Sequence, residues 1–434
     1  MARYIVTGGI PLNGQASISG NKNSILALLP ATLLANSPVT LHNVPQIADV
    51  AAVVKILELL GCRITGLGTS TLTIDPSHIR NVVIPPELTK KVRSSIMFLA
   101  PLLARFGKAE LGFPGGDTIG KRAIGTHFDA LASFNTKFKV SPNLVSADFS
   151  PAKKDVLVFL DETSVTATEN SLMLAASLPV TTVIKNAASE PHVVDLGEML
   201  IKMGAKVTGI GTNTITIVGA DVSTLQGTTH TVSSDYIDAG TLAIAAAITG
   251  GTLTISPISP TDMHIILLYL GRFGIKYSWP KTDTLKIHPS QLSVDPEKLG
   301  IRQKFQTNIW PGFPTDLMSP LITLATQTTG TVLLHDWMYE TRMYFTDKLV
   351  QMGANVTLCD PHRVIVTGPT PLYGRHLTSP DIRAGMSLLI AALVANGQSE
   401  IDHVEIIERG HEDPVGRLQA LGAKITRVAS EHEV

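Results

Sequence analysis

The sequence predicts an α/β protein of two domains, each built from three copies of a helix-strand-helix-strand-strand unit. Three observations predict this fold. A pattern recurs six times at intervals of roughly 70 residues. Within each copy, apolar residues first follow the helical period and then alternate with polar ones, as in a strand. Finally, a chain of 434 residues is too long for one ordinary core.

The clearest copy of the repeat starts at Val39. It comprises the strand VTLHNV, the amphipathic helix DVAAVVKILELLG, and the strands CRITGLG and TLTID. Three more copies follow the same order, and two are partial. The full copies start at Thr181, Gly251 and Gly330, and the partial ones at Ala109 and Glu400.

The amphipathic helix of five copies closes on an apolar residue followed by glycine. These glycines are Gly61, Gly204, Gly274, Gly353 and Gly422. Glycine readily adopts the left-handed conformation that ends a helix, so we expect a cap at each of them. The copy from Ala109 differs, because its helix ends at Ser133-Phe134-Asn135 without the glycine.

A second kind of helix precedes each unit and is rich in Ala and Leu on all sides. Such composition predicts a buried helix rather than a surface one. The six helices start at Asn23, Ser94, Glu169, Asp238, Thr315 and Ile382. We therefore expect buried helices surrounded by the amphipathic helices and the sheets.

Composition excludes several classes of protein. Lys and Arg number 35 against 36 Asp and Glu, which argues against a general surface for nucleic acid or an anionic membrane. Cys62 and Cys359 lie far apart without metal-ligand spacing, which predicts reduced, buried thiols and a cytoplasmic compartment. The apolar stretch 386–396 is shorter than the roughly 20 residues that span a bilayer. We expect neither a membrane span nor an export signal.

Charged and amide residues cluster at the N-terminal ends of the Ala- and Leu-rich helices. They are Lys22, Asn23, Arg93, Glu169, Asn170, Asp238, Asp316, Asp381 and Arg383. Because helix N-termini attract anions, this pattern predicts a site for phosphate and carboxylate groups. The three aspartates have an alternative role as ordinary N-caps. The cations oppose the helix dipole by up to about 1 kcal/mol, which predicts an anion held between them.

Six separated motifs resemble those of the enolpyruvyl transferase family, in order and over essentially the whole chain. They are GNKNSILALLPA from Gly20, VRSSIMFLAPLLARFG from Val92, PGGDTIGKR from Pro114, GFPTDL from Gly312, DIRAG from Asp381 and ERGHE from Glu408. Members that act on UDP-N-acetylglucosamine are more similar than the shikimate-pathway members. The Ser-Lys-Ser and Asn-Ala-Gly-Thr motifs typical of the latter are missing.

The resemblance implies two inside-out α/β barrel domains, 22–229 and 1–21 plus 230–434, with the substrate cleft between them and a mobile loop at 113–125. It implies transfer of the enolpyruvyl group of phosphoenolpyruvate to the 3-hydroxyl of UDP-N-acetylglucosamine, the first committed step of peptidoglycan precursor synthesis. No metal, organic cofactor or obligate protein partner is indicated. The alternatives are another acceptor, such as shikimate 3-phosphate, or a catalytically silent anion-binding paralogue.

The resemblance also assigns residues to the site. Lys22, Arg122 and Arg409 are expected to hold the phosphate and carboxylate of phosphoenolpyruvate, and Asn23 to contact the reacting centre. Asp316 is the expected base for the sugar hydroxyl. The expected nucleotide-sugar site comprises Arg93, Ala123, Ile124, Gly125, Thr126, Glu162, Thr163, Ser164, Val165 and Met338, supported by Arg342, Asp381 and Arg383.

Asp117 stands where the family usually has a cysteine that donates the proton to C3 of phosphoenolpyruvate; a minority of members have aspartate. A carboxyl donor must be protonated, so we expect substrate binding and loop closure to raise the pKa of Asp117. Ala123 and Gly125 stand where proline and aspartate are common, and Ala48 replaces a usual lysine. These departures leave the identity of the acceptor open.

Overall fold

The computed structural model describes residues 2–116, 119–120, 123–151, 154–294 and 304–429. These residues form two compact units. The N-terminal unit holds the described residues within Ser19–Asp117 and Arg122–Ser233, and the C-terminal unit holds those within Met1–Ile18, Thr118–Lys121 and Ser234–Val434. Each unit has its own apolar core. The main boundaries fall after Ile18 and Ser233 rather than after 21 and 229.

The described part of the N-terminal unit contains three four-stranded sheets. In spatial order the strands are β14 (Thr229–Thr231), β3 (Val39–His42), β5 (Thr71–Asp75) and β4 (Arg63–Thr65); β6 (Val83–Ile84), β7 (Lys108–Gly112), β9 (Leu144–Phe149) and β8 (Thr136–Ser141); and β10 (Val156–Phe159), β11 (Thr181–Lys185), β13 (Thr214–Val218) and β12 (Lys206–Thr208).

Three further four-stranded sheets lie in the described part of the C-terminal unit. Their strands are β2 (Gly14–Ser17), β15 (Leu253–Ser256), β17 (Thr284–His288) and β16 (Lys276–Lys281); β18 (Lys304–Gln306), β19 (Gly330–His335), β21 (Arg363–Gly368) and β20 (Asn355–Asp360); and β22 (His376–Thr378), β23 (Gln398–Asp402), β1 (Arg3–Thr7) and β24 (Lys424–Val428).

All of these sheets share one topology. An edge strand runs parallel to the first inner strand, which pairs antiparallel with the second inner strand, and the last edge strand is again antiparallel. The parallel edge strand is absent from the predicted repeat. It is missed because it is short, with only two residues in β6, and a two-residue strand leaves no alternating pattern to detect.

The six predicted buried helices are confirmed, and most of their residues are buried. They are α1 (Lys22–Ala31), α4 (Leu99–Phe106), α6 (Val165–Ala176), α8 (Tyr236–Ile248), α10 (Met318–Thr326) and α12 (Ile382–Val394). The remaining α-helices in the described residues are α2 (Ala48–Leu60), α3 (Pro86–Thr89), α5 (Gly125–Ala132), α7 (Pro191–Met203), α9 (Pro260–Arg272), α11 (Thr346–Gln351) and α13 (Pro414–Ala420). Among the described residues, no helix combines the length and apolar character that crossing a bilayer requires.

The N-terminal segment joins the C-terminal unit. β1 is an inner strand of its sheet, paired with both β23 and β24. β2 precedes α1 in sequence, yet it pairs with β15, while β14 precedes α8 and pairs with β3. The C-terminal unit therefore completes one of its sheets with β2, which lies next in sequence to α1 of the N-terminal unit. The N-terminal unit likewise completes a sheet with β14, which lies next in sequence to α8 of the C-terminal unit.

The helix caps agree with the sequence. All five repeat glycines have positive φ angles, as at Gly61 with 106° and Gly353 with 107°. In the exceptional copy Asn135 takes this role with a φ of 71°. The prediction for the cysteines is only half right, because both thiols are free and Cys62 is buried, but Cys359 is exposed.

Candidate active site

Lys22 and Asn23 lie in the first turn of α1 rather than before it. The N-cap is Asn21, whose side chain accepts hydrogen bonds from the backbone N–H groups of Asn23 at 2.8 Å and Ser24 at 3.0 Å. Lys22 Nζ lies 3.5 Å from Asp49 Oδ2, and both side chains are largely buried. A carboxylate of the protein therefore offsets the unfavourable position of this cation, a role that we expected a ligand to fill.

Several predicted nucleotide-sugar residues come together in the N-terminal unit. Arg93 opens a 3-10 helix, and its Nη2 donates a hydrogen bond to the carbonyl oxygen of Ala123 at 3.1 Å. Thr126 Oγ1 lies within hydrogen-bond distance of Asp161 Oδ1 at 3.2 Å and Glu162 Oε1 at 3.1 Å. These contacts join the start of α5 to the loop before α6, so two segments that are separate in sequence form one surface.

The loop before α6 is fixed by its own hydrogen bonds. Ser164 is the N-cap of α6, and its side chain accepts a hydrogen bond from the Ala167 backbone N–H at 3.4 Å. Val165 is the first residue of the helix. Thr163 Oγ1 donates a hydrogen bond to Asn186 Oδ1 at 2.8 Å. The predicted binding segment thus has a defined backbone.

His127, which the sequence leaves unassigned, connects α5 to α6. Ile124 and Gly125 open α5, and the backbone N–H of His127 donates to the Ile124 carbonyl oxygen at 3.2 Å. The amide of Asn170 donates to His127 Nδ1 at 2.9 Å, so the ring proton sits on Nε2, 2.9 Å from Thr166 Oγ1. Burial lowers the pKa of His127 to about 3. The ring is a neutral structural link between the two helices.

The prediction that Glu169 and Asn170 open the third buried helix is wrong. α6 starts at Val165, so both residues lie in its second turn and are buried. Asn170 Oδ1 accepts a hydrogen bond from the Ala100 backbone N–H at 3.3 Å. Burial, and then the nearby carboxylate of Glu190, raise the pKa of Glu169 well above its usual range. The prediction takes the charged residue Glu169 as the helix boundary, whereas the N-cap is the uncharged Ser164, five residues earlier.

Asp316 is the centre of the candidate site in the C-terminal unit. Its Oδ2 accepts hydrogen bonds from Arg383 Nε at 3.2 Å and Nη2 at 3.0 Å, and its Oδ1 accepts one from Arg342 Nη2 at 3.3 Å. Both arginines are buried, whereas the Asp316 side chain is 26% exposed. Burial alone would lower the pKa of each arginine, but the charge of Asp316 raises it. The result is an oriented carboxylate that solvent can reach, as a base for a substrate hydroxyl requires.

The sequence gives Asp238, Asp316 and Asp381 the alternative role of helix N-caps. Of these three, only Asp381 is an N-cap. Its Oδ1 accepts hydrogen bonds from the backbone N–H groups of Arg383 and Ala384, both at 2.9 Å. Asp316 lies in a 3-10 turn and makes no side-chain cap bond. Asp381 supports the site indirectly, because the helix turn that it caps carries Arg383.

Asp238 is an ion-pair residue and not the start of α8, which is capped by Asp235. Asp238 Oδ2 accepts a hydrogen bond from Arg417 Nη2 at 2.7 Å, and Oδ1 lies 3.3 Å from His411 Nδ1. Burial would raise the pKa of Asp238, but the charge of Arg417 and the contact with His411 hold it well below its usual range. His411, unassigned from sequence, thus belongs to a buried charge network.

Met338 lies beside a buried carboxylate that the sequence does not single out. Its backbone N–H donates to Asp336 Oδ1 at 3.0 Å. Asp336 also accepts hydrogen bonds from the hydroxyls of Thr307 and Thr315, and its Oδ2 lies 3.8 Å from Arg342 Nε. The signal available in the sequence is a lone acidic residue at the end of an apolar strand, a place where buried charges are rare without a partner.

Arg409 closes a short 3-10 helix and is half-buried. Asp117 and Arg122, expected respectively to donate the proton and to bind phosphoenolpyruvate, lie outside the described residues. In the same loop Gly116 and Gly120 have φ angles of 114° and 132°, conformations that favour glycine. That the loop is a mobile lid remains a prediction.

Comparison with known proteins identifies the family of the chain. The family described as EPSP synthase (3-phosphoshikimate 1-carboxyvinyltransferase) matches residues 6–418. Proteins named UDP-N-acetylglucosamine 1-carboxyvinyltransferase match almost end to end. The protein of Treponema denticola is 44% identical over 98% of this chain and 99% of its own length. That of Borrelia garinii subsp. bavariensis is 46% identical over 99% of this chain and 100% of its own.

Solved structures show the same fold. The enolpyruvyl transferase NikO from Streptomyces tendae aligns with a TM-score of 0.86 at 23% identity, over 99% of both chains. EPSP synthase from Acinetobacter baumannii aligns with a TM-score of 0.75 at 17% identity, over 99% of this chain and 100% of its own. The predicted fold class, two inside-out α/β barrels, is confirmed. The chain belongs to the enolpyruvyl transferase family of which EPSP synthase is a member.

Proposed function

We propose that the protein transfers the enolpyruvyl group of phosphoenolpyruvate to the 3-hydroxyl of UDP-N-acetylglucosamine and releases phosphate. One observation carries the proposal: identity of 43–46% over nearly the whole chain with relatives named for that reaction. The reaction is the first committed step of peptidoglycan precursor synthesis. Both substrates are metabolites of the cytoplasm, and we place the protein there.

Phosphoenolpyruvate is expected to bind Lys22, Arg122 and Arg409. The ligand carries close to three negative charges, so a group of cations is required, and arginine adds paired hydrogen bonds to phosphate or carboxylate oxygens. Lys22 is held next to Asp49, at 3.5 Å. An incoming phosphate would therefore compete with Asp49 for the ammonium group, and Lys22 is already oriented before the substrate arrives.

The nucleotide sugar is expected to bind the surface made by Arg93 and the 123–126 and 162–165 segments, together with Met338. The contacts of Arg93 with Ala123 and of Thr126 with Glu162 support this proposal, because they keep both segments in place. Ala123 and Gly125 are smaller than the residues common in the family at these positions. The smaller side chains at these two positions would leave more room around the uracil ring of the nucleotide than proline and aspartate do.

The chemistry that we propose is an addition followed by an elimination. Asp316 takes the proton of the sugar 3-hydroxyl as its oxygen bonds to C2 of phosphoenolpyruvate, while Asp117 gives a proton to C3. In the resulting tetrahedral intermediate the Asp117 carboxylate takes a proton back from C3 while the C2–O bond to the phosphate breaks, which releases phosphate and restores the double bond as an enol ether. Arg342 and Arg383 orient the Asp316 carboxylate throughout.

The proposal is tested by phosphate release from phosphoenolpyruvate with either UDP-N-acetylglucosamine or shikimate 3-phosphate as acceptor. We expect release with the nucleotide sugar alone. The Asp316→Asn variant should be slower by about 10²–10⁴-fold, the contribution usual for a general base. Asp347→Asn is the matched control, since its side chain is 69% exposed and lies outside the site. Release with shikimate 3-phosphate alone would reassign the acceptor, and release with neither would favour a silent paralogue.

A further inference from the structure

Glu408, the residue directly before Arg409, is held by side chains from both ends of the chain. The hydroxyl of Tyr4 donates a hydrogen bond to Glu408 Oε1 at 2.8 Å. Arg427 donates two hydrogen bonds to the same carboxylate, from Nε to Oε1 at 2.7 Å and from Nη2 to Oε2 at 3.1 Å. A forked contact of this kind fixes direction as well as distance.

The two partners of Glu408 are themselves fixed by the sheet. Tyr4 on β1 and Arg427 on β24 lie opposite each other in the antiparallel register. Tyr4 is fully buried, and burial together with the Glu408 charge raises its pKa, so the phenol stays protonated and remains a donor. The Arg427 side chain is 32% exposed and Glu408 27%, so the contact lies at the edge of the core, where charge pairs are only partly screened.

The other side of Arg409 is fixed as well. His411, two residues further on, is buried and lies 3.3 Å from both Asp238 Oδ1 and Arg383 Nη1. Arginine can only donate, so His411 Nε2 accepts from Arg383, and Nδ1 donates to Asp238. The pKa of His411 is lowered, chiefly by burial, in keeping with this neutral ring.

The backbone between the two fixed side chains is anchored in the core. Val404 and Ile407, in the same 3-10 helix, are buried. The backbone N–H groups of Gly410 and His411 both donate to the Ile407 carbonyl oxygen at 3.1 Å. The residues before and after Arg409 are therefore tethered on both sides, while its own side chain is half-buried.

We propose that Tyr4 and Arg427 are positioning residues for Arg409. By fixing Glu408, they set the orientation of the turn from which Arg409 reaches phosphoenolpyruvate, without touching the substrate themselves. The inference rests on the proposed function, which assigns phosphoenolpyruvate to Arg409. A cation that is already aimed at its ligand loses less freedom on binding, so the benefit should appear in the affinity for phosphoenolpyruvate.

The test uses Tyr4→Phe, Arg427→Gln and the double variant. Tyr4→Phe keeps the buried ring and removes only the hydroxyl. Arg427→Lys keeps a cation near Glu408, and should recover part of what Arg427→Gln loses. The matched control is Arg3→Gln on β1, the strand that carries Tyr4, because Arg3 pairs with Glu400 and Asp402.

We expect the KM for phosphoenolpyruvate to rise roughly three- to tenfold in each single variant, and further in the double variant, a change of the size that loss of one ordinary hydrogen bond causes. The KM for UDP-N-acetylglucosamine and the Tm should stay close to wild type, and Arg3→Gln should change neither KM. An unchanged KM for phosphoenolpyruvate in the double variant would overturn the inference. So would an equal rise for both substrates, which indicates a general structural defect.

Calorimetric binding of phosphoenolpyruvate separates this inference from the proposed function. If the wild type turns over neither acceptor but binds phosphoenolpyruvate, weaker binding by the double variant still supports the positioning role. Equal binding by the wild type and the double variant refutes it. A wild-type protein without affinity for phosphoenolpyruvate would also refute it, since Arg409 would then have no such ligand.

Discussion

Asp316 shows how this protein presents a charged group for use. Two buried arginines on different elements hold its carboxylate from two sides, while a quarter of the side chain stays exposed. Removing either arginine would leave one oxygen of the Asp316 carboxylate without its cationic partner, and the carboxylate would be held from one side only. Pairing therefore provides both the stability of the cluster and the orientation of the proposed base.

The sequence identifies the cations of the site but not their partners. Lys22 and Arg383 are recognised because positive charge at a helix N-terminus is unfavourable without compensation. That Asp49 compensates Lys22 depends on how α2 packs beside α1, which no local pattern records. For the same reason Asp238 looks like a helix cap in sequence and proves to be the partner of Arg417.

Asp117 should decide how the protein responds to fosfomycin, an epoxide that alkylates the loop cysteine in this family. A carboxylate is a far weaker nucleophile than a thiolate, so we expect no adduct on the wild type. Asp117→Cys should gain a single adduct within the loop, in the presence of the nucleotide sugar. Intact-mass measurement followed by peptide mapping detects both.

The two natural cysteines provide internal controls for that experiment. Burial raises the pKa of the Cys62 thiol to about 12, so it should stay unmodified, whereas Cys359 is exposed and reports non-specific alkylation. An adduct that maps to the 113–125 loop of the wild type would contradict the prediction. Failure of Asp117→Cys to react while Cys359 does would contradict it too.

At the scale of elements, the repeat is marked most clearly where its amphipathic helices end. Five copies use glycine with positive φ, and the sixth uses Asn135. Asparagine is the non-glycine residue that tolerates this conformation best, because its short side chain makes local hydrogen bonds. Here Asn135 Nδ2 donates to the Ser150 carbonyl oxygen at 3.1 Å. The glycine caps are predictable from sequence, and the asparagine cap is not, since Asn occurs in many other settings.

This explanation of Asn135 predicts a difference between two substitutions that both lose the contact with Ser150. Asn135→Ala puts a Cβ with no compensating hydrogen bond at a φ of 71°, whereas Asn135→Gly does not. We expect the alanine variant to be less stable than the glycine variant by about 1 kcal/mol. Thermal unfolding of the two variants, compared as Tm, measures this.

Ser133, two residues earlier, serves as the control position. Its φ of −59° is helical, so alanine should be more stable than glycine there, the reverse of the order at Asn135. Two results would contradict the explanation: equal Tm values for the alanine and glycine variants at 135, or the same order of Tm at both positions. Either would show that the left-handed conformation is not the reason for an asparagine at 135.

At the scale of the whole molecule, most of the fold can be predicted from the sequence repeat, because burial determines the composition of its helices. A helix surrounded by protein must be apolar on all sides, and a helix on the outside of a sheet must be amphipathic, so the two kinds differ in composition. The number of buried helices therefore gives the number of copies of the repeat. The exchange of β2 and β14 cannot be read in this way, because short strands at equivalent places in the repeat could pair in either sheet.

The central claim, enolpyruvyl transfer by addition and elimination, is tested most directly by the product formed in deuterated water. With phosphoenolpyruvate and UDP-N-acetylglucosamine, we expect free phosphate together with a nucleotide sugar that bears an enol ether. Its vinyl carbon should carry deuterium, because C3 gains a solvent-derived proton in the addition and loses one in the elimination. Nuclear magnetic resonance detects both features. Phosphate accompanied by free pyruvate, or no enol ether at all, would contradict the claim.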